Sequence, residues 1–468
     1  MSKTKQDIYL SLPAPIRQGI IYGVSAYNRA LRYGRNYRET LELALSADAW
    51  TKSEAEAYVS GQLGLLLAEA KAHVAYYTEA LAPFSAQHLQ EIARRRELGS
   101  VPFLAKSTLK ARPSSFLNSS RKAAVSSSTS GSTGSPLTVQ FDRYSMERRM
   151  AFIHHHRRWL GLRPRARTLR LSGREIVPAS QSRPPFWVAN PFENQLLVST
   201  YHLNTSALPA ILDKILSYDP EVIDGYPTAI AQIASAMRTS GGVLGALRGV
   251  ITTAETLDPT LRAEIESGLG VQVLDYYAAS EGVPLIQQCE HGRYHLRLDS
   301  GAFEILDEND APCAPGQPGE LVVTSFVQWQ MPLIRYRTGD LAISAVANQL
   351  CPCGRTLPTI EGVLGRVEDL VLTPDGRKIG MFSYRTLKHV QGYREAQIIQ
   401  LTESSFRVRY ALDGTRPEDE VQRQTQQIFA RVLGYESDVE FESVPAIERG
   451  PNGKFRSTVG LGTSSPAD

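Results

Sequence analysis

From about residue 168 to 327 the chain alternates short apolar runs, such as 248-RGVITTA-254 and 271-VQVLDYY-277, with helix-like segments at 205–216, 227–238 and 258–269. Runs that are continuously apolar suit strands covered on both faces, so this stretch is expected to fold as α/β layers with largely buried strands. At 468 residues the chain exceeds what one hydrophobic core usually supports, and two or more domains follow. The first hundred residues read as a helical packing scaffold, with Ser53 and Glu56 in a capping-box pattern ahead of an Ala/Leu/Glu-rich run through Leu81. After Gly365 the texture changes to strands at 396–402, 406–412 and 439–444 around one helix at 416–433, an α+β unit of about 100 residues. The expected division is a large domain over 1–365 and a small one over 366–468. No internal repeat is visible.

Composition narrows the function classes. Fifty-one basic against 48 acidic residues leave a net charge of +3, too balanced for nucleic-acid binding as a main activity. The first residues, MSKTKQDIYLS, lack the apolar core of an export signal, and no run of 18 apolar residues suggests a membrane span, so a cytoplasmic protein without a membrane partner is expected. Four cysteines in this length point to a metal or plain burial and not to a disulfide framework.

A serine-rich stretch at 114–135 reads as a loop opening into a strand, where Leu137, Val139 and Phe141 alternate with Thr138 and Gln140. Within it, 127-SSTSGSTGSP-136 sets Thr129, Ser130, Ser132 and Thr133 around Gly131 and Gly134. Hydroxyls and backbone N–H groups in such a loop can wrap polyphosphate, because glycine lets the main chain approach an anion closely. Ser135 stands where a Walker loop needs lysine. On this segment alone a flexible Ser/Gly linker is an equal reading.

Four further patterns follow in order: 276-YYAASEG-282, 336-YRTGDL-341, 365-GRVEDLV-371 and 452-NGKFR-456. Together with the loop they resemble the adenylate-forming superfamily of acyl-CoA synthetases, peptide-synthetase adenylation domains and luciferases, in its phenylacetate–CoA ligase and CapK branch. The segments 319-GELVVT-324, 222-VIDGYPTAI-230 and 393-YREAQIIQ-400 extend the resemblance over nearly the whole chain. It implies an α/β fold, with a large N-terminal adenylation domain of layered sheets and a small mobile C-terminal lid. It also implies that Thr129, Ser130, Gly131, Ser132, Thr133 and Gly134 hold the phosphates of Mg-ATP, and that Tyr277 stacks on adenine beside Ser280. By the same match Glu281 is the Mg²⁺ carboxylate, Asp340 grips the ribose hydroxyls and Arg366 contacts ribose or phosphate. Glu368 is then the hinge, with Asp369 next to it, and Lys454 reaches the α-phosphate. Each role suits its residue: Mg²⁺ takes carboxylate oxygens, a carboxylate accepts two bonds from a diol, and an ammonium answers the charge that builds on phosphorus. The sequence departs from the pattern at Ala278, at Ser280 and at Ala254 in 253-TAE-255, where many relatives carry Gly-Glu. Tyr226 and Ala254 are expected in the acyl pocket, and Tyr201, Trp187 and Phe192 could line an aromatic-acid pocket.

Cys351 and Cys353 in a C-P-C-G-R turn, with 289-CEHGRYH-295 upstream, offer a Cys₃His set suited to closed tetrahedral zinc. Cys289, His295, Cys351 and Cys353 are the proposed ligands, His291 is the alternative fourth, and Cys313 is a bystander. The run 154–156 of three histidines cannot converge on one ion, because adjacent helix residues point about 100° apart; these side chains are expected at a helix edge or the acyl cleft.

The expected reaction is ATP-dependent activation of an aromatic or other small organic acid as acyl-AMP, followed by acyl transfer to CoA. Transfer to an amine or hydroxyl is the alternative, and a catalytically silent nucleotide-binding scaffold is a reading from another class. A homodimer stays open.

Overall fold

The computed structural model describes residues 5–128, 137–204, 206–346, 350–366, 370–379, 382–387, 390–448 and 455–461, and the architecture below is that of these residues. Thr129, Ser130, Gly131, Ser132, Thr133 and Gly134 of the phosphate loop, the hinge pair Glu368 and Asp369, and Lys454 lie outside them.

The N-terminal stretch is helical as expected, with helices at Lys5–Ser11, Ala14–Arg32, Arg35–Ala47, Lys52–His73, Ala75–Ala80 and Ala86–Arg95. The capping box falls two residues before the expected one. Thr51 caps the Lys52–His73 helix and exchanges bonds with Glu54, because the turn at 47–50 delivers extended backbone at Thr51 before Ser53 is reached. The apolar run to Leu81 is also two helices, split at Val74, which forms a bridge with Asn118. The serine-rich stretch is less of a loop than expected, since Ala123–Ser128 pairs antiparallel with Thr138–Asp142. Leu137, Val139 and Phe141 all turn inward.

The alternating region forms a nine-stranded sheet. Its centre is parallel, in the order Val273–Tyr277, Gly249–Thr252, Val222–Gly225, Thr168–Ser172, Gln195–Ser199. Helices Leu208–Tyr218, Pro227–Ser240 and Pro259–Leu269 lie between these strands in sequence, and Asp258 caps the last through two backbone N–H groups. In such a sheet the carboxyl ends of the strands are where ligands bind, and Gly173, Tyr226, Thr253 and Ala278 follow those ends. Gly225 is needed there: a Cβ on it would lie 1.8 Å from the Leu171 carbonyl oxygen, which accepts the Tyr226 N–H at 3.0 Å.

An antiparallel four-stranded sheet, Gly301–Leu306, Pro318–Ser325, Tyr336–Ile343 and Gly362–Arg366, packs with the N-terminal helices around a second core that includes Leu63, Phe116, Phe141 and Tyr336. The C-terminal stretch has its own core around Phe382, Phe406 and Phe429, formed by the helix Glu418–Leu433 and a four-stranded sheet. In that sheet Thr458–Val459 runs parallel to Tyr393–Gln400, returning the chain's end to its middle.

Candidate functional site

The two carboxylates singled out in the sequence stand near each other, linked by aromatic and basic side chains. Asp340 lies within a strand, 7% exposed, and Arg366 pairs with it across the neighbouring strand at 2.9 Å. The Tyr277 hydroxyl donates to its other oxygen at 2.6 Å. Burial pushes the Asp340 carboxyl above its ordinary value, the Glu281 charge adds to the rise, and Arg366 and Tyr277 oppose it. Tyr336 lies between the two acids: burial, then Glu281, raise its phenol, and Asp340 acts the same way. Ser280 is exposed in the turn before Glu281.

Glu281 is 4% exposed and pairs with Lys106 at 2.9 Å. Burial alone would raise its carboxyl, but the Lys106 ammonium and the hydrogen bonds around it outweigh burial and hold it below the ordinary range. Lys106 opens the short helix Lys106–Ala111 and was not foreseen. No local pattern marks it, because its partner lies far along the chain.

Tyr226 and Tyr201 line one cleft with Thr200, Leu203, Thr228, Ala229 and Gln232. Trp187 and Phe192 do not join them: Trp187 packs on the parallel-sheet core and Phe192 is largely at the surface. Ala254 is not in this lining either. It has φ +72°, the left-handed region that favours glycine, which gives a physical reason for the Gly-Glu of similar chains. Its neighbour Glu255 accepts from the Thr228 hydroxyl at 2.8 Å and from the Phe455 N–H at 3.1 Å. The residue after Lys454 is thereby tied to Glu255 at the edge of the Tyr201 and Tyr226 cleft, through Thr228.

Cys289, His295, Cys351 and Cys353 bring their ligand atoms within 4.8 Å of one another. The sulfurs of Cys289 and Cys351 are 3.6 Å apart, and Cys353 Sγ is 3.4 Å from His295 Nε2. Zinc bond lengths of about 2.3 Å to sulfur and about 2.0 Å to nitrogen require S–S edges of about 3.8 Å and S–N edges of about 3.5 Å, close to these two separations. The other nitrogen, Nδ1, bonds the Leu357 carbonyl at 3.2 Å, an orienting bond typical of metal-ligating histidine. His291 and Cys313 are outside the cluster.

The three histidines diverge as expected, but they line neither a helix edge nor the acyl cleft; all are buried ties of the Arg143–Arg158 helix. His154 bonds the Tyr37 hydroxyl, His155 meets Asp48 and Gln287, and His156 bonds the Gln288 carbonyl. Asp48 also receives Trp159 and the fully buried Arg297, whose other side is held by Asp299. Arg409 and Arg407, the basic residues of the C-terminal strand, are paired with Glu442 and Glu440.

No family model matches the chain. Among sequence relatives, it is 29% identical to protein CapK of Staphylococcus aureus over 52% of this chain and 53% of the relative. It is 27% identical to phenylacetate-coenzyme A ligase of Thermus thermophilus over 47% and 49%. The chain thus spans about half the length of the relatives it matches. Its fold is that of 2-hydroxyisobutyryl-CoA ligase in the postadenylation state, with TM-score 0.70 at 19% identity over 88% of this chain and 91% of that one. Against the same ligase in the thioesterification state the TM-score is 0.57 at 20% identity, over 88% and 91%. An anthranilate CoA ligase gives 0.53 at 14% identity, over 90% and 96%.

Proposed function

We propose, from the premise that this chain belongs to the adenylate-forming superfamily as a relative of CapK and the phenylacetate–CoA ligases, that it activates a carboxylic acid as acyl-AMP and passes the acyl group to CoA. One observation carries the reading: Glu281 and Asp340, 59 positions apart in sequence, are brought together with Lys106, Tyr277, Tyr336 and Arg366.

In this reading the acid lies in the cleft of Tyr201 and Tyr226 and its carboxylate oxygen attacks the α-phosphorus of ATP. A P–O bond forms, the bond to pyrophosphate breaks, and pyrophosphate leaves. Asp340 accepts two hydrogen bonds from the ribose diol, with Arg366 holding it in place, and Tyr277 offers its ring to adenine. Thr129, Ser130, Gly131, Ser132, Thr133 and Gly134 would hold the phosphates. Glu281 fits a hard cation, being kept ionised inside the protein; Mg²⁺ there would add positive charge beside the phosphate oxygens. Lys454 meets the charge on the pentavalent phosphorus. One observation supports this reading: the next residue, Phe455, bonds Glu255, which in turn holds Thr228 of the Tyr201 and Tyr226 cleft. A rotation at Glu368 and Asp369 then withdraws the lysine and admits CoA, whose thiol attacks the acyl carbon and releases AMP. Cys289, His295, Cys351 and Cys353 would bind zinc with four protein ligands, a structural set with no open position. We place the protein in the cytoplasm; among the described residues no helix is long and apolar enough to cross a membrane.

The test is ATP–pyrophosphate exchange over a panel of aromatic and aliphatic acids. Acid-dependent exchange that disappears in Lys454→Ala is the expected result, and exchange with no acid at all sinks the reading in favour of a nucleotide-binding scaffold. Adding CoA and then amines to the acyl-AMP, and weighing the products, decides the acceptor.

A further inference from the structure

The helix Ala14–Arg32 is amphipathic in the reverse of the usual sense. Its polar side chains turn toward the protein: the buried Arg17 donates to the Leu12 carbonyl at 3.0 Å and to the Gln181 amide oxygen at 2.8 Å, and Arg29 reaches the Phe192 carbonyl at 3.0 Å. Gln18 donates to the Ala189 carbonyl at 2.6 Å and accepts the Ala189 N–H at 3.2 Å, so the helix covers the strand Trp187–Asn190, which ends one side of the nine-stranded sheet. Ile21 packs there with Ile176 and Val188. The opposite face is open to solvent and carries Ile16, Ile20, Val24 and Tyr27, at 51%, 38%, 46% and 55% exposure. Positions three and four apart share one stripe of a helix. That face holds no charge: the helix contains no acid, and its three arginines are buried or half-buried. Of the thirteen large apolar side chains exposed among the described residues, six lie between Ile8 and Tyr27, which makes a patch and not the usual scatter of single residues.

Gly19 and Gly23 lie on the same outward face, and a Cβ added at either would meet nothing within 4 Å. Glycine inside a helix is less favourable than alanine, and the packing of the chain itself requires neither one. Spaced four apart, they let a second backbone come close. A second copy of the chain is the occupant this face fits. In a two-fold contact a surface meets itself, so charges on it would be set against their like, and a face with none meets no such repulsion. Two helices paired antiparallel in this way also bring opposite dipole ends together. A lipid surface draws on cationic side chains around an apolar stripe, and here the arginines bond to the inner side.

We propose that the chain forms a homodimer through the outer face of the helix Ala14–Arg32, with Ile16, Ile20, Val24 and Tyr27 of the two copies packing antiparallel across a two-fold axis and Gly19 and Gly23 at the close approach. The inference is independent of the reaction.

The experiment is sedimentation equilibrium of the full chain from about 1 to about 100 μM, with flotation on vesicles of equimolar phosphatidylcholine and phosphatidylglycerol alongside. A monomer–dimer equilibrium is expected. Its Kd should rise at least tenfold in Ile20→Glu, and likewise in the double variant Gly19→Leu with Gly23→Leu. The glycine positions have open space and leucine is the better helix former, so the far-UV circular dichroism of the double variant should match that of the unaltered protein; if Ile20→Glu loses helical signal, the double variant decides. A monomer throughout the concentration range overturns the proposal. So does a dimer that the double variant leaves intact, which would place the contact elsewhere on the surface. Flotation of the protein with the vesicles, abolished by Ile20→Glu, would assign the face to a lipid surface and overturns the proposal as well.

Discussion

At Glu281 two opposing effects act on one carboxyl: burial favours the protonated form, and the Lys106 ammonium favours the charged one. The folded value lies below the ordinary range, so the charged state is secure above it and is lost as pH falls through it. Removing the ammonium in Lys106→Met leaves burial opposed only by a backbone hydrogen bond and the more distant Arg366 charge. The acid limb of the exchange-rate pH profile is then expected to move upward by at least one pH unit, with a raised requirement for Mg²⁺; an unmoved limb would show that Lys106 does not act on Glu281. Gly225 gives a second expectation. Alanine there would force its Cβ into the Leu171 carbonyl, and backbone cannot yield as a side chain can. Gly225→Ala is expected to cost about 3 kcal/mol or more in denaturant unfolding, at the upper end of overpacking effects.

The Arg143–Arg158 helix shows what three adjacent histidines do when each faces a different neighbour. Burial pushes His154 and His156 down to about 3, so both stay neutral in the folded protein over the pH range where an unfolded chain protonates them. The unfolded state then binds more protons, and stability must fall as pH drops from about 6.5 toward about 3, by at most about 1.4 kcal/mol per pH unit for each group. His154→Gln should flatten the pH dependence of the denaturation midpoint between pH 7 and 5; an unchanged slope would mean the acid response arises elsewhere. The divergence of these side chains was readable from helix geometry, but their burial was not, because it depends on Tyr37, Asp48 and Gln288 arriving from distant segments. The same distinction runs through the molecule. The central strands and helices were legible from apolar runs and the helix-like segments between them, and Asp340 and Glu281 were singled out from motifs whose chemistry is local. Lys106 was not, since a lone basic residue gains meaning only from its tertiary neighbours. The capping box was misplaced because Thr51 and Ser53 fit the same spacing, and only the preceding turn chooses between them.

Across the whole chain, the N–H of Phe455 on Glu255 ties the C-terminal segment to the turn after the Gly249–Thr252 strand. A hydrogen bond to a charged acceptor is worth about 1.5–3 kcal/mol, so Glu255→Ala is expected to slow pyrophosphate exchange at least tenfold. Conversion of supplied acyl-AMP with CoA should be spared, because that step needs the segment released. Rapid-quench measurement of both half-reactions checks this, and equal slowing of the two would refute it.

Asp48 joins helices of the first fifty residues to Arg297, His155 and Trp159, and Arg355 lies against the face of that tryptophan two residues from Cys353. Anyone who trims the leading helices to obtain a smaller catalyst would strand a guanidinium in the interior with half its counter-charge gone, and would loosen the cysteine turn from a distance. The prefix is a keystone.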